Sequence, residues 1–141
     1  MLTRPQARAK LAEILRGGVP LVQEVYSYKA TDIKGMSPVI TIAGAGFRPH
    51  QLAADAYWTT YYMVIHTLVL YSDLRTEWTV EQAEAMNDEI VEAVTACLFE
   101  NRANDFWTSI TMDDRSSLAE IQVGGVTYLN EAIPVQLEMT P

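Results

Sequence analysis

Few residues in this sequence could do chemistry, and their spacing decides what chemistry that would be. A zinc centre takes about four Cys, His or carboxylate ligands. His50, His66 and Cys97 stand far apart, and no CxxC, HExxH or HxxxH spacing occurs. Tertiary proximity could still gather them, but the simpler reading makes His66 a strand residue with a hydrogen-bonded ring and His50 a solvated loop residue. Nucleophilic catalysis needs an activated Ser, Cys or Thr beside a base. GxSxG is absent, and Cys97 falls on the apolar stripe of a predicted helix, where a thiol behaves as a small inert hydrophobe. Gly44-Ala45-Gly46 follows a strand but lacks the Lys-Ser/Thr pair of a phosphate-binding loop, and no clear helix start follows it. Asp113-Asp114 and Asp88-Glu89 could do acid–base work, but adjacent acids on a loop or exposed helix face read as solvated charge. The aromatics from Tyr57 to Tyr71 lack the interleaved Lys and Arg that stacking on nucleic acid calls for. The expectation is no catalytic residue, no cofactor and no metal, hence no enzyme.

The elements that would position these residues can be read from pattern. Thr3 and Gln6 fit a capping box, with Pro5 in the first turn, and Ala7, Leu11, Ile14 and Leu15 share a helical stripe. Gly17-Gly18 is expected to supply a left-handed stop. Strands are predicted at Leu21 to Tyr28 and Pro38 to Ala43, joined by a long hairpin loop from Lys29 to Ser37. Gly44 to Asp55 reads as irregular. Ala56 to Tyr71 is the strongest strand signal, apolar on both faces. Such a strand sits centrally and is covered on both sides; helices of the same chain would supply one cover and a neighbouring subunit the other. Thr79 and Gln82 open the best helix, Thr79 to Asn101, with Ala83, Met86, Ile90, Ala93, Val94 and Cys97 inward. Its carboxylates face no nearby base, since no Lys or Arg occurs between Arg75 and Arg102.

Short strands are expected to close the chain: Phe106 to Met112, Ala119 to Val123, Val126 to Asn130 and Ile133 to Met139. Gly124-Gly125 marks a two-residue hairpin, and Pro134 suggests an edge or a bulge. The fold class is α+β: a mostly antiparallel β-sheet with an N-terminal helix and one long helix packed on one face.

The 141 residues, 49% apolar and 20% charged, fit one domain over 1–141 by the prior of roughly 100–200 residues each. No apolar run of about 20 residues occurs, so no membrane span is expected. A formal charge of −8 disfavours affinity for phosphate backbones and anionic lipid. It suits a surface past which DNA slides without sticking. One cysteine allows no internal disulfide, and the first residues carry no apolar signal region. The chain therefore reads as one folded in a reducing cytoplasm.

Taken in order, these features resemble siphophage tail terminator (tail completion) proteins over about Arg4 to Met139. The likeness rests on the N-terminal helix, the Val25-Tyr26-Ser27-Tyr28 strand, the Ser37-Pro38-Val39-Ile40 strand start and the long aromatic strand. It continues in Trp78-Thr79-Val80-Glu81-Gln82-Ala83-Glu84 opening an acidic helix, and in Asn101-Arg102 with Trp107 close behind. It ends in Gly124-Gly125-Val126-Thr127-Tyr128 and Ile133-Pro134-Val135-Gln136-Leu137-Glu138. The resemblance implies a structural virion protein at the head-proximal end of the tail, made in the host bacterial cytoplasm. It implies a homo-oligomeric ring, typically hexameric, that caps the major tail tube protein, stops polymerisation and meets a head-completion or connector protein. DNA would pass through the ring without specific binding. Surface residues expected at subunit or partner contacts are Tyr57 and Tyr61 on the long strand, Asp32 and Lys34 in the first loop, and Arg48 and His50 in the second. Two other readings stay open: another neck or minor tail protein of similar fold, and a small ligand-binding domain or enzyme whose aromatic strand lines a pocket.

Overall fold

The computed structural model describes residues 1–53, 56–71, 79–112 and 115–140, with backbone alone at 52, 53, 56 and 57. The elements run α1 (Arg4–Gly18), β1 (Glu24–Tyr26), β2 (Val39–Ala53), β3 (Ala56–Leu70), α2 (Val80–Glu100), β4 (Trp107–Met112), β5 (Ser117–Val123) and β6 (Val126–Met139). The fold is α+β. Both helices open on capping boxes. Thr3 and Gln6 exchange hydrogen bonds of 2.9 and 3.4 Å, and Thr79 and Gln82 exchange bonds of 2.8 and 3.2 Å. Each box satisfies N–H groups that a helix start leaves unpaired. Trp78 and Asp113-Asp114 lie outside the described residues.

The end of α1 differs from expectation. The helix runs through Gly17 and Gly18, and Val19 caps it at φ −127°, so no left-handed stop is used. Gly18 serves packing instead: a Cβ there would stand 2.4 Å from Cys97 Sγ. The missing side chain lets α1 and α2 approach.

The strand order is β1-β2-β3-β6-β4, with β5 also paired to β6. Three expectations about the first strands are corrected. The predicted strand Leu21 to Tyr28 shrinks to Glu24–Tyr26. It pairs with β2 in parallel, so residues 27–38 form a crossover and not a hairpin loop; they supply the roughly dozen residues a parallel connection needs. The stretch from Gly44, expected to be irregular, continues as strand to Ala53 and pairs antiparallel with β3. A bulge absorbs the glycines: Gly44 faces Met63 and Phe47 faces Tyr61, leaving one extra residue on β2, with Gly46 at φ 109°. One extra residue exchanges the faces of the strand. Ile40 and Ile42 face the helices before the bulge and Phe47 does so after it, turning Arg48 and His50 to the opposite face.

The last two predicted strands are one. β6 crosses the sheet from Val126 to Met139 as an inner strand, with β3 along one side and, on the other, β5 up to Ala132 and β4 from Val135. Pro134 is thus neither at a sheet edge nor at a bulge of the β3 ladder. It stands where β5 has ended and β4 has not begun, so its missing N–H costs no bond on that side. Gly124 and Gly125, at φ 59° and 79°, form the expected hairpin turn.

α1 packs on β1 and β2, and α2 on β3 and β6. The main core joins Leu11 and Leu15 of α1, Ile90 and Val94 of α2, and Ile42, Met63, Ile65 and Leu137 of the sheet. A second, smaller cluster lies on the far face. There Ala30 and Ile33 of the crossover cover Val39, Leu68 and Tyr128, and the Tyr128 hydroxyl donates to the Met36 carbonyl at 3.3 Å. Part of the cover that β3 was expected to take from a neighbouring subunit therefore comes from its own chain. Further along the same face Tyr62, Val64 and His66 stay half-buried.

Candidate functional site

The residues expected at contacts fall into two groups at opposite ends of β2 and β3. Asp32 and Lys34 lie in the crossover, both exposed. Asp32 Oδ1 accepts from the Lys34 N–H at 2.9 Å and also stands close to Gly124. Arg48 and His50 lie on β2 rather than in a loop. The His50 ring stacks on Trp58 at 4.7 Å, and its Nε2 is 3.1 Å from Thr60 Oγ1. Tyr61 is 8% exposed and its hydroxyl donates to the Leu2 carbonyl at 3.0 Å, so the segment leading into α1 already engages it. The side chain of Tyr57 lies outside the described residues.

The groups with chemical potential are held in quiet surroundings. His66 is half-buried, and desolvation holds its pKa below the ordinary value, with the Lys29 charge acting in the same direction. Asn130 Nδ2 donates to the Thr67 carbonyl at 2.9 Å and lies 3.2 Å from His66 Nδ1. Fixing the amide this way makes Nδ1 the acceptor and leaves the proton of the neutral ring on Nε2. Burial pushes the Cys97 thiol up, and the Glu100 carboxylate adds to the shift. Such a thiol is a poor nucleophile. Among the described residues, no three His, Cys, Asp or Glu side chains are placed to hold a metal ion. No described helix is long and apolar enough to cross a membrane.

Two surfaces unlike one another stand out, and neither was anticipated from sequence. The first is a groove of about 720 Å³ between α2 and β4, lined by Val91, Thr95, Leu98, Phe99, Ile110 and Met112. Phe99 is 66% exposed and Met112 46%, large values for residues that burial would favour. Arg102 lies over the Phe99 ring at 4.3 Å. The second surface is the β1 edge, where Leu21 and Tyr28 are exposed and Tyr28 meets Tyr26 edge-on at 5.7 Å. This edge is closed to strand pairing: Arg16 donates to the Val25 carbonyl and pairs with Glu24 at 3.1 Å, while Glu24 accepts from the Val25 N–H at 2.8 Å. That N–H, then Arg16, hold the Glu24 carboxyl below its usual range.

Charge is unevenly distributed along the sequence. Residues 1–53 contain seven of the ten Lys and Arg but three of the 18 Asp and Glu. They build α1, β1 and β2. α2 carries Glu81, Glu84, Asp88, Glu89, Glu92 and Glu100 without a base. Among the described residues the ion pairs are Lys10–Glu13 and Arg16–Glu24, and neither involves α2. The bases are not confined to one end of the strand order: Lys10 of α1 lies over the Phe106 ring just before β4 at 4.5 Å, and Arg102 lines the groove together with Glu92. The tally of bases before residue 49 was the available signal. For the groove it was Phe99, which falls off the buried stripe of its helix.

A scan against protein-family models finds none that matches the chain, and a search of the curated proteins finds no match.

Proposed function

We propose that this chain is a structural virion protein that ends a phage tail tube. Copies of it form a closed ring on the last tube layer, stop further polymerisation and offer the joining surface to a head-completion or connector protein, while DNA passes through the middle. The reading starts from the resemblance of the ordered elements to tail terminators. One observation carries it beyond that likeness: the molecule has two dissimilar exposed apolar surfaces, the α2–β4 groove with Phe99 and Met112 and the β1 edge with Leu21 and Tyr28. A ring of identical copies needs two different patches that fit each other, whereas a two-fold dimer uses one patch twice. The surplus of acid also suits a passage for DNA, since Lys and Arg contacts to phosphate would retard it.

The test is genetic. A phage lacking this gene should make tails of uncontrolled length that do not join heads, and the intact gene supplied in trans should restore both. Tails of normal length joined to heads in the deletion strain would refute the proposal. Antibody labelling away from the head-proximal end of the tube would instead assign the chain to another part of the tail.

A further inference from the structure

We infer that the pocket on the far face of the sheet, between the crossover and β5, binds a small hydroxycarboxylate with a short apolar tail. The inference goes beyond the tail reading and does not depend on it.

The pocket holds about 180 Å³, and its polar groups come from Lys29, Thr41, His66 and Asn130. The sheet register gathers three of them: Thr41 of β2 stands opposite His66 of β3, and Asn130 of β6 stands opposite Leu68, two residues along the same face. Thr41 is 3% exposed and Asn130 5%. Among the described residues the Thr41 hydroxyl has no hydrogen-bond partner. The Asn130 amide uses its Nδ2, on the Thr67 carbonyl and His66 Nδ1, and leaves Oδ1 without a donor. No enclosed side-chain N or O atom of a described residue lacks a partner, so these two oxygens keep their small exposure at the pocket they line. Oxygens in residues this buried are ordinarily hydrogen-bonded. With Nδ1 accepting, His66 has its N–H at Nε2, also without a partner among the described residues. The Lys29 ammonium makes no ion pair there either, and it lies close enough for its charge to act on the His66 ring.

These groups define the ligand. Lys29 and His66 supply a positive charge and N–H donors, and no Asp or Glu lines the pocket, so a carboxylate fits and an ammonium does not. Asp32 of the same crossover accepts from the Lys34 N–H. Hydrogen bonds between ionised groups are the strong ones, and the Thr41 hydroxyl can add a third donor. Asn130 Oδ1 only accepts, so it calls for an O–H on the ligand. The remaining walls, Ala30, Leu68, Ile121 and Val123, are apolar and suit a short hydrocarbon tail. A cavity of about 150 Å³ holds benzene, so this one has room for about eight non-hydrogen atoms. That is too little for a nucleotide or a peptide segment.

The experiment titrates the full chain with 2-hydroxy-3-methylbutanoate near neutral pH, followed by calorimetry and by the NMR signals of the histidine rings. The expected Kd is below about 1 mM. Binding should move the ring signals of His66 and leave those of His50, the other histidine, in place. The amide of the same acid, and 3-methylbutanoate, which lacks the hydroxyl, should each bind at least about tenfold more weakly. Lys29→Met, at an exposed residue, should weaken binding of the acid by about tenfold or more. Thr41→Val should weaken it in the same direction, and Thr41→Ser, which keeps the hydroxyl, should bind like the unmodified chain. Thermal melts coincident with that of the unmodified chain confirm folding of each variant. No binding at about 10 mM acid would overturn the inference. So would binding that leaves His66 unmoved or is indifferent to Lys29→Met, or an amide or a deoxy acid that binds as tightly as the hydroxy acid.

Discussion

At the scale of single residues, the two adjacent glycines of α1 make opposite demands. A Cβ at Gly17 meets nothing within 4 Å, whereas one at Gly18 meets Cys97 Sγ at 2.4 Å and Cys97 Cβ at 3.2 Å. Gly17→Ala should therefore raise stability by roughly 0.5–1 kcal/mol, because alanine is the better helix former. Gly18→Ala should lower it by about 1–3 kcal/mol through overpacking. Urea melts of both variants check this, and adding Cys97→Ala to Gly18→Ala should recover part of the loss. His66 supplies the second residue-scale prediction. Burial holds its folded pKa below the unfolded value of about 6.5. Between those two values the unfolded chain binds a proton that the native one does not. Stability should thus be intact above about pH 6.5, fall on acidification through that window, and level off below the folded value. Urea midpoints between about pH 7.5 and 5.5 measure the slope, and His66→Gln should flatten it. The capping boxes at Thr3 and Thr79 could be read from sequence because each partner lies three positions away. The role of Gly18 could not, because its reason sits on another helix.

At the scale of elements, α2 is fastened to the sheet by a small polar network as well as by apolar packing. The Thr67 hydroxyl donates to Asn87 Oδ1 at 2.6 Å and accepts from the Glu131 N–H at 3.0 Å, and Asn87 Nδ2 donates to Glu131 at 3.2 Å. Asn87 is 1% exposed and Thr67 0%. Asn87→Ala leaves that buried hydroxyl without its acceptor, and should cost about 1–3 kcal/mol in a urea melt. Thr67→Val in the Asn87→Ala background should cost less than it does alone. Asn87 was legible by position, since it shares the helical stripe with Ala83, Ile90 and Val94, but its partners come from two strands that no local pattern connects. The long strand β3 was plain from its apolar run. The second half of β2 was hidden because Gly44, Gly46 and Pro49 are all poor strand formers. A bulge accommodates the glycines, and Pro49 is tolerated because β1 flanks β2 only from Val39 to Thr41. The parallel sense of β1 was hidden too, because loop length alone does not separate a hairpin from a short crossover.

At the scale of the whole molecule, the formal charge of −8 would govern how copies meet in the proposed ring. The Debye length falls from about 10 Å at 0.1 M salt to about 3 Å at 1 M. Association of copies that carry the same net charge should therefore quicken on going from low salt to about 0.5 M, while dissociation changes little. Stopped-flow light scattering would follow both rates. An interface drawn together by opposite charges would slow instead. The sequence contained the charge tally, but where each base stands needed the fold: Lys10 of α1 reaches Phe106 beside β4. The groove was less accessible, because Phe99 and Met112 belong to different elements and only their folded positions make one surface.

β6 is shared on one side by two strands laid end to end, and this gives the sheet uneven mechanical strength. A pull that unzips β5 from Val126 travels to Ala132 and then reaches Pro134, where no rung of that ladder passes tension on to β4. The hairpin arm can peel away while β3, β6 and β4 stay clamped around the core. In the proposed role at a loaded joint, the molecule would thereby have a piece that yields first and re-zips without loss of the rest.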